Sequence, residues 1–546
     1  MESKFKSPVV YWLGLWAVLA AVTLLTRPLL PVDETRYLAV AWEMWLRQDF
    51  LVPYLNGETY SHKPPLLFWL MHLGWFVFGV NDWTPRLVAP VFGLGCLFLV
   101  RALARDLWPG RTRVADISPL FLLGFGFWAM FSTLIMFDLL LAFFTLLGLR
   151  GIVAVWRHGG IGGFVVLGLA IGLGALTKGP AILLHLLPVA LLAPVWGRHL
   201  ADAPARPSHG WGRWYLGILL AVLMGVLIGL AWAIPAGLAG GEEYRNAILW
   251  GQTAGRMVKS FAHQRPVWWY LAVLPGLLLP WLLLPSLWRA MTGIRRACRS
   301  DGGLRFCLVW LVTAFVVFSL ISGKQLHYLL PEFPALALIL ACLFCAEQGA
   351  PDGIWNRILP GGFTVLVGVL ICLLPALSVL PRMPDWLPLV ENFWGLAVIA
   401  AGTWQLAQSD PDRVSRVRRV VLALVVTIGA IHLGARPVLQ FAYDLRPVAR
   451  QLKVWEDEGR PLANFGKYHG QFQFLGRLQN PLTILGHEKG NVSSFIRTHP
   501  DGLVISYYKN LPTRAKPLKT YRYRKATIAV WDADTLRAHP GLAQRK

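Results

Sequence analysis

Two adjacent carboxylates directly follow the first apolar run of the chain, in the segment VDETRY (32–37). Asp33 and Glu34 point to different sides of any helix, so we expect them to do different jobs. At a membrane surface such acids could orient or deprotonate a nucleophile, and Arg36 adds a cation beside them. The alternative is structural, because acidic residues also cap a helix and stabilise its first turn.

A second group of polar residues lies downstream, in NGETYSHKPPLLFWL (56–70). Lys63 precedes two prolines, which hold it in an extended conformation at the start of an apolar segment. A lysine there could neutralise a phosphate at headgroup depth, or could simply snorkel along apolar surface. Tyr60 and His62 accompany it, and His62 could carry a proton, bind a metal or be an ordinary surface histidine.

Four more segments, three at helix ends and one loop, place charge on what we predict to be the same side of a membrane. Asp138 lies in STLIMFDLLLAFF, where an acid among apolar residues is costly unless it is paired or hydrated. The remaining candidates come from LTKGPA (176–181), SGKQLHYLLPE (322–332) and the loop 240–266: Lys178, Lys324, His327, Tyr328, Glu332, Arg256 and His263. Because acids and bases occur together on one side, we expect them to share a site.

Composition indicates the membrane that these residues border. Of 546 residues, 55% are hydrophobic and 15% charged, and the mean hydropathy is +0.51. Apolar runs of about 20 residues, the length of a transmembrane helix, recur up to about residue 435. The net charge of +23 falls largely in short loops between these runs, where it sets orientation. We therefore expect contact with membrane lipids and no binding of nucleic acid.

The distribution of basic residues predicts about thirteen spans with the N-terminus in the cytoplasm. The predicted spans are 9–28, 85–104, 117–136, 138–156, 161–178, 180–197, 214–237, 266–288, 306–322, 330–347, 358–379, 388–406 and 420–435. Residues 31–84 form a periplasmic loop with helices along the membrane surface. Within it we take the apolar run 65–79 as interfacial, because counting it as a span would place every later basic loop outside.

The pattern of the last hundred residues predicts a small soluble α/β domain. We predict a membrane domain over 1–437 and a periplasmic domain over 438–546, with a helix at 446–459 and strands at PLTILG, GLVISYY and KATIAVWD. This part carries no GxGxxG, P-loop or catalytic-triad signature. The glycine-rich run 159–176 lies inside a span, so it indicates helix packing rather than nucleotide binding.

The six cysteines give no sign of a disulfide framework or a metal site. All lie in or beside apolar spans, and none falls in the C-terminal domain. Cys342 and Cys345 form a CxxC pair, but one pair at a helix end lacks the partner ligands of a metal site.

Four of these segments together resemble one superfamily: VDETRY, HKPPLLFW, MFDLLLAFF and LTKGP. They are similar to GT-C glycosyltransferases related to protein O-mannosyltransferases, including bacterial 4-amino-4-deoxy-L-arabinose lipid A transferases. The resemblance covers the membrane domain, most strongly residues 30–180. It implies that Asp33 is the essential first-loop acid, Asp138 a second acidic position and Lys63 a contact of the carrier phosphate.

The resemblance also implies a reaction. A sugar would pass from undecaprenyl phosphate to an envelope acceptor by inverting displacement, on the periplasmic face of the bacterial inner membrane. The predicted catalytic residues are Asp33, Glu34 and Asp138, and the predicted donor-phosphate residues are Lys63, Arg256, Lys324, His327 and Tyr328. No cofactor is required; a divalent metal held by His62 or His263 stays an alternative that the spacing does not support.

The sequence leaves the sugar, the acceptor and the class of protein open. The favoured transfer is of 4-amino-4-deoxy-L-arabinose to a lipid A phosphate, but Ser61-His62-Lys63-Pro64 stands where Phe-Glu-Lys-Pro is expected. Another sugar, with a protein or glycan acceptor, is therefore a second hypothesis. A lipid or solute transporter is a third, although transporters usually place charges at mid-membrane and show repeated halves, neither of which occurs here.

Overall fold

The computed structural model describes residues 8–207, 210–251, 264–346, 353–381, 383–408, 412–486 and 491–542. Within these residues, eight helical segments are long and apolar enough to cross a membrane. They are Pro8–Thr26, Trp83–Leu107, Phe137–His158, Gly210–Ala239, Gly302–Leu320, Leu326–Ala346, Trp355–Val379 and Arg413–Gly434. The chain is thus a polytopic α-helical membrane protein.

The other five of the thirteen predicted spans are helical but short, bent or broken. The segments Ala181–Leu191 and Ala193–His199 meet at 48° and count as one bent span at most. Pro280 and Pro285 interrupt the predicted span 266–288, because proline lacks the amide hydrogen that continues a helix. The remaining helices of this part are Thr112–Leu123, Gly126–Phe131, Gly162–Lys178, Gly241–Asn246, Trp269–Leu277, Pro285–Thr292, Ile294–Ser300, Trp394–Ala407 and Arg436–Tyr443.

The glycine-rich helix Gly162–Lys178 packs closely against its neighbours, as the sequence predicts. A Cβ added at Gly172 would lie 2.6 Å from Ile228 Cβ, and one at Gly168 would lie 2.8 Å from Met224 Sδ. Since Met224 and Ile228 belong to the helix Gly210–Ala239, the glycines allow two helices to approach.

The first loop carries two helices, Asp33–Arg47 and Leu66–Phe78, joined through a small hairpin of β1 (Tyr54–Leu55) and β2 (Glu58–Thr59). Leu66–Phe78 has 13 residues. At 1.5 Å per residue it spans about 20 Å, less than the hydrocarbon core of a bilayer. Its outer face exposes Leu73, Phe76, Val77 and Phe78. This length and this face fit the predicted interfacial position.

The C-terminal part forms one mixed sheet with helices on both faces. Its strands are β3 (Leu462–Phe465), β4 (Thr483–Leu485), β5 (Leu503–Tyr508), β6 (Lys519–Tyr523) and β7 (Ala526–Asp532), in the order β4-β3-β5-β7-β6. β3 pairs in parallel with β4 and β5, whereas β7 is antiparallel to β5 and β6. Its helices are Arg446–Asp457, Gln473–Gly476, Val492–Thr498 and Ala533–Ala538.

The predicted α/β class, the first helix and three strands of this domain are confirmed. The strands β3 and β6 were not predicted, because LANF is short and KTYRY is polar. Arg446–Asp457 packs on one face of the sheet, and Val492–Thr498 and Ala533–Ala538 pack on the other.

The C-terminal domain docks on the first loop through aromatic and polar contacts. The rings of Trp75 and Phe474 stack with centroids 5.4 Å apart and planes inclined by 8°. Trp42 Nε1 donates a hydrogen bond of 2.9 Å to the carbonyl of Leu478. Arg477 lies 3.8 Å from the centre of the Phe474 ring and forms an ion pair with Asp82. The sheet domain is therefore held directly over the segment that begins with VDETRY.

Candidate functional site

Asp33 presents a half-exposed carboxylate at the start of the first-loop helix. The helix Asp33–Arg47 begins at Asp33, and no side chain caps it. The Asp33 side chain is 50% exposed and forms an ion pair with Arg36, one turn later. Asp33 therefore does not cap the helix, although it lies in the first turn as the structural alternative predicts, and its carboxylate stays accessible to a substrate.

Glu34 points the other way and is buried. Its Oε2 accepts hydrogen bonds from Arg27 and from the Leu30 amide (2.8 Å), and its Oε1 accepts one from the Ile135 amide (3.0 Å). Arg27 also donates to the Thr133 carbonyl at 2.9 Å. These contacts tie the first loop to the segment before the helix Phe137–His158. They give Glu34 a structural role and argue against the predicted catalytic one.

Asp138 and Lys178 form a buried ion pair between two helix ends. Asp138 lies in the first turn of Phe137–His158, and Lys178 is the last residue of Gly162–Lys178. A carboxylate is favoured at a helix N-terminus and an ammonium at a C-terminus, so both helix dipoles support the pair. An acid at this depth requires such a partner, and the structure supplies it.

The 3-10 segment Leu326–Glu332 brings His327 and Tyr328 to this pair. Lys178 Nζ lies 4.4 Å from the centre of the Tyr328 ring. His327 stacks on Phe131 at 5.9 Å and is close enough to Asp138 to interact with it electrostatically. The structure thus brings these sequence candidates together.

Lys63 approaches the same pair from the first loop. Its Nζ lies 5.3 Å from the centre of the Phe137 ring, one residue before Asp138, and it interacts electrostatically with that carboxylate. His62 stacks on Tyr60 at 5.3 Å. Two lysines and a histidine therefore surround one buried carboxylate, an arrangement that would attract a phosphate.

Tyr37 links the two acids of the site. Its ring meets Phe137 edge to face at 5.0 Å, and the Arg36 guanidinium lies 5.6 Å from the ring centre. Burial, together with Asp33 and Tyr60, raises the pKa of Tyr37 well above its ordinary value. Its hydroxyl therefore stays protonated and is available as a hydrogen-bond donor. Tyr37 was not among the predicted site residues, although it lies within VDETRY.

Lys324 lies apart from this cluster. It is buried, and its Nζ donates to the carbonyls of Ile321 (2.6 Å) and Arg265 (3.0 Å). These bonds hold the end of the 240–266 loop and give Lys324 a structural role in place of the predicted contact with the donor phosphate. Arg256 and His263, predicted from that loop, lie outside the described residues.

His185, the buried partner of the candidate Glu332, was not predicted from the sequence. His185 Nδ1 lies 2.6 Å from Glu332 Oε1, and both side chains are almost fully buried. Glu332 ends the 3-10 segment that carries His327, so the pair anchors this segment to the helix Ala181–Leu191. A histidine inside the apolar stretch AILLHLLPVAL was the available signal.

No group of three or more histidine, cysteine or carboxylate side chains that could hold a metal ion occurs among the described residues. The carboxylates Asp33 and Asp138 each have a cationic partner instead.

Comparison with known proteins gives consistent matches. A family model described as dolichyl-phosphate-mannose-protein mannosyltransferase matches residues 62–232. The undecaprenyl phosphate-alpha-4-amino-4-deoxy-L-arabinose arabinosyl transferase of Pseudomonas paraeruginosa is 33% identical over 390 residues, which are 69% of this chain and 66% of that protein. The protein of the same name from Edwardsiella ictaluri is 32% identical over 319 residues, 57% of this chain and 54% of that protein.

The chain thus spans between about half and two thirds of the length of these curated relatives. Among solved structures, ArnT from Cupriavidus metallidurans bound to undecaprenyl phosphate matches with a TM-score of 0.76 and 21% identity. That match covers 96% of this chain and 97% of the other. Over almost its full length, the chain therefore shares the fold of that protein.

Proposed function

Because this chain belongs to the GT-C superfamily of membrane glycosyltransferases, we propose that it transfers 4-amino-4-deoxy-L-arabinose from undecaprenyl phosphate to a phosphate of lipid A. We place it in the bacterial inner membrane, with the site and the C-terminal domain in the periplasm. The alternation of basic loops supports that orientation. The names of the curated relatives support the sugar and its carrier.

The observation that carries the proposal is the buried Asp138–Lys178 pair with Lys63 and His327 beside it. This cluster has more positive than negative groups and lies where the first loop meets the membrane helices. A phosphate on a membrane-embedded chain would reach it from the bilayer. A nucleotide would not, because the periplasm holds no nucleotide sugars and the described residues contain no nucleotide-binding motif.

The proposed chemistry is a single displacement with inversion. An oxygen of the acceptor phosphate attacks the anomeric carbon, and the bond from that carbon to the carrier phosphate oxygen breaks. Undecaprenyl phosphate leaves with the electron pair, and Lys63 and His327 stabilise its charge. Such preorganised stabilisation contributes about 3 kcal/mol per donor in well-studied enzymes.

Asp33 has a different task in this reaction. A phosphate acceptor is already nucleophilic, so it needs no general base. The half-exposed carboxylate of Asp33 would instead hold the amino group of the sugar or orient the acceptor, with Arg36 beside it. Tyr37, kept protonated, offers a further donor at the same position.

The His62 side chain favours a second candidate, the transfer of a different sugar. It occupies the position where an acidic residue is expected in aminoarabinose transferases, and it stacks on Tyr60 next to Lys63. A histidine there pairs less well with an amino sugar than a carboxylate does. The second candidate therefore keeps the donor phosphate site and changes the sugar, with a protein or glycan acceptor.

Mass spectrometry of lipid A from cells lacking and overproducing the protein tests the proposal. We expect an added pentosamine that depends on the wild-type protein and is absent with Asp33→Ala. Arg497→Ala serves as the control, because Arg497 is an exposed residue of the C-terminal domain. Unchanged lipid A would contradict the acceptor and direct the search to glycoproteins and other envelope glycans.

A further inference from the structure

One loop of the C-terminal domain reaches the candidate site. It runs from 466 to 472, between β3 and the short helix Gln473–Gly476, and has the sequence GKYHGQF. A Cβ added at Gly470 would lie 2.8 Å from Ala39 Cβ and 2.6 Å from Leu55 Cδ1. The backbone at Gly470, with φ +72°, is therefore pressed against the helix that begins at Asp33.

A buried polar network holds this loop in shape. Gln471 Nε2 donates to the Tyr507 hydroxyl (2.8 Å), which donates to Asn464 Oδ1 (3.1 Å). The His469 amide donates to Gln471 Oε1 at 2.9 Å. Asn464 and Gln471 are both buried, and Asn464 and Tyr507 belong to the central strands β3 and β5. Side chains on such a loop are presented by a rigid support, which binding sites require.

The loop carries positive charge to the rim of the site. Lys467 is exposed, and His469 is partly buried. His469 interacts electrostatically with Arg36, Lys467 and Asp33. Burial, Arg36 and Lys467 lower its pKa, so His469 is neutral at pH 7 and becomes a better proton acceptor when an anion binds nearby.

We propose that Lys467 and His469, together with Arg36, bind an anionic group of the acceptor, a lipid phosphate, so that the C-terminal domain completes the acceptor side of the site. This inference extends the proposed function and rests on it, because the proposed function is what identifies the phosphate-bearing ligand as the acceptor.

Asp33 interacts with two basic clusters, an inner one of Lys63, Lys178 and His327 and an outer one of Arg36, Lys467 and His469. It interacts electrostatically with His327 of the inner cluster and with His469 of the outer one. The inner cluster, with Lys63, suits the carrier phosphate. The outer cluster includes the exposed Lys467 and suits a second phosphate that arrives from the membrane surface. When one phosphate displaces another at the anomeric carbon, the enzyme needs two phosphate-binding sites, one on each side of that carbon.

Binding of lipid A to the purified full-length protein in detergent tests the inference. The probes are bisphosphorylated lipid A and its dephosphorylated form. We expect Lys467→Glu to weaken binding of the phosphorylated form about tenfold or more, the loss of one charge-assisted contact, and Lys467→Arg to restore it. The dephosphorylated form should bind both proteins equally. Undecaprenyl phosphate affinity should not change.

Arg497→Glu is the matched charge reversal, because Arg497 is exposed on the helix Val492–Thr498, on the other face of the sheet. In a transfer assay, Lys467→Glu should raise the KM for the acceptor more than it lowers kcat. Equal binding of phosphorylated lipid A by Lys467→Glu and wild type would overturn the inference, as would equal losses with Arg497→Glu. Lysine-dependent binding without any sugar transfer would instead overturn the proposed function and leave the phosphate site.

Discussion

Asp138, in the first turn of one helix, forms a buried ion pair with Lys178, the last residue of the next helix along the chain. The pair joins two helix ends whose dipoles favour these charges, and Tyr328 covers the ammonium. The relationship explains how an acid is kept in an otherwise apolar region. It also places a fixed charge beside Lys63 and His327, the groups assigned to the donor phosphate.

Removing one member of this pair should destabilise the protein more than removing both. Lys178→Met leaves a buried carboxylate without its partner, and breaking a buried pair costs about 3–5 kcal/mol. The double variant Asp138→Asn/Lys178→Met should recover most of that loss and stay inactive. Thermal unfolding in detergent measures the first effect and sugar transfer the second. Equal destabilisation of the single and double variants would contradict the coupling.

Asp33 and Glu34 should respond in opposite ways to the same chemical change. Asp33→Asn should abolish transfer and leave the unfolding temperature nearly unchanged, because the side chain is half-exposed. Glu34→Gln should lower that temperature, because Arg27 is left buried without its counter-charge. Each variant is the matched control of the other, and the two readouts are thermal unfolding and transfer. A stable, inactive Glu34→Gln protein would restore the catalytic role predicted for Glu34.

Lys63→Ala should weaken binding of undecaprenyl phosphate. Loss of one charge-assisted contact costs about 1.5–3 kcal/mol, roughly 10- to 100-fold in Kd. Lys63→Arg keeps the charge and should retain part of the affinity. Direct binding of the carrier lipid to the purified protein measures this, with Arg497→Ala as the control. Unchanged affinity in Lys63→Ala would leave Lys63 with its alternative role of snorkelling along apolar surface.

Stability should fall with acidification through His72. This side chain is buried in the interfacial helix Leu66–Phe78, and Nε2 lies 2.8 Å from the Ala41 carbonyl. Burial lowers its pKa to about 4. The unfolded chain binds the proton at about pH 6.5, so this stability is present above pH 6.5 and declines as the pH drops towards 4. His72→Gln should flatten the decline between these values. An identical pH profile of the unfolding temperature would contradict the assignment.

Much of the architecture could be predicted from residue patterns, because burial in a bilayer leaves a strong local signal. Apolar runs located the spans, and the alternation of basic loops indicated that 65–79 is an interfacial helix. The sequence could not tell which predicted spans break, as at Pro280, because neighbouring helices can support an interrupted helix. Strand β6 was hidden because its residues are polar and its pairing partner, β7, is what makes it a strand.

Residue type and position alone identified Asp33, Lys63, Asp138, Lys178 and His327 as candidate site residues. Polar and charged side chains beside apolar runs are energetically costly, so they indicate a function. Which partner each charge takes was decided only by the tertiary structure.

Glu34 accepts a hydrogen bond from the Ile135 amide, 101 residues away, and is buried outside the site, while its neighbour Asp33 remains half-exposed. Lys324 donates hydrogen bonds to backbone carbonyls. His469, from the C-terminal domain, interacts electrostatically with Arg36. The partner of each of these side chains depends on contacts between segments far apart in sequence. A local sequence pattern cannot predict such contacts.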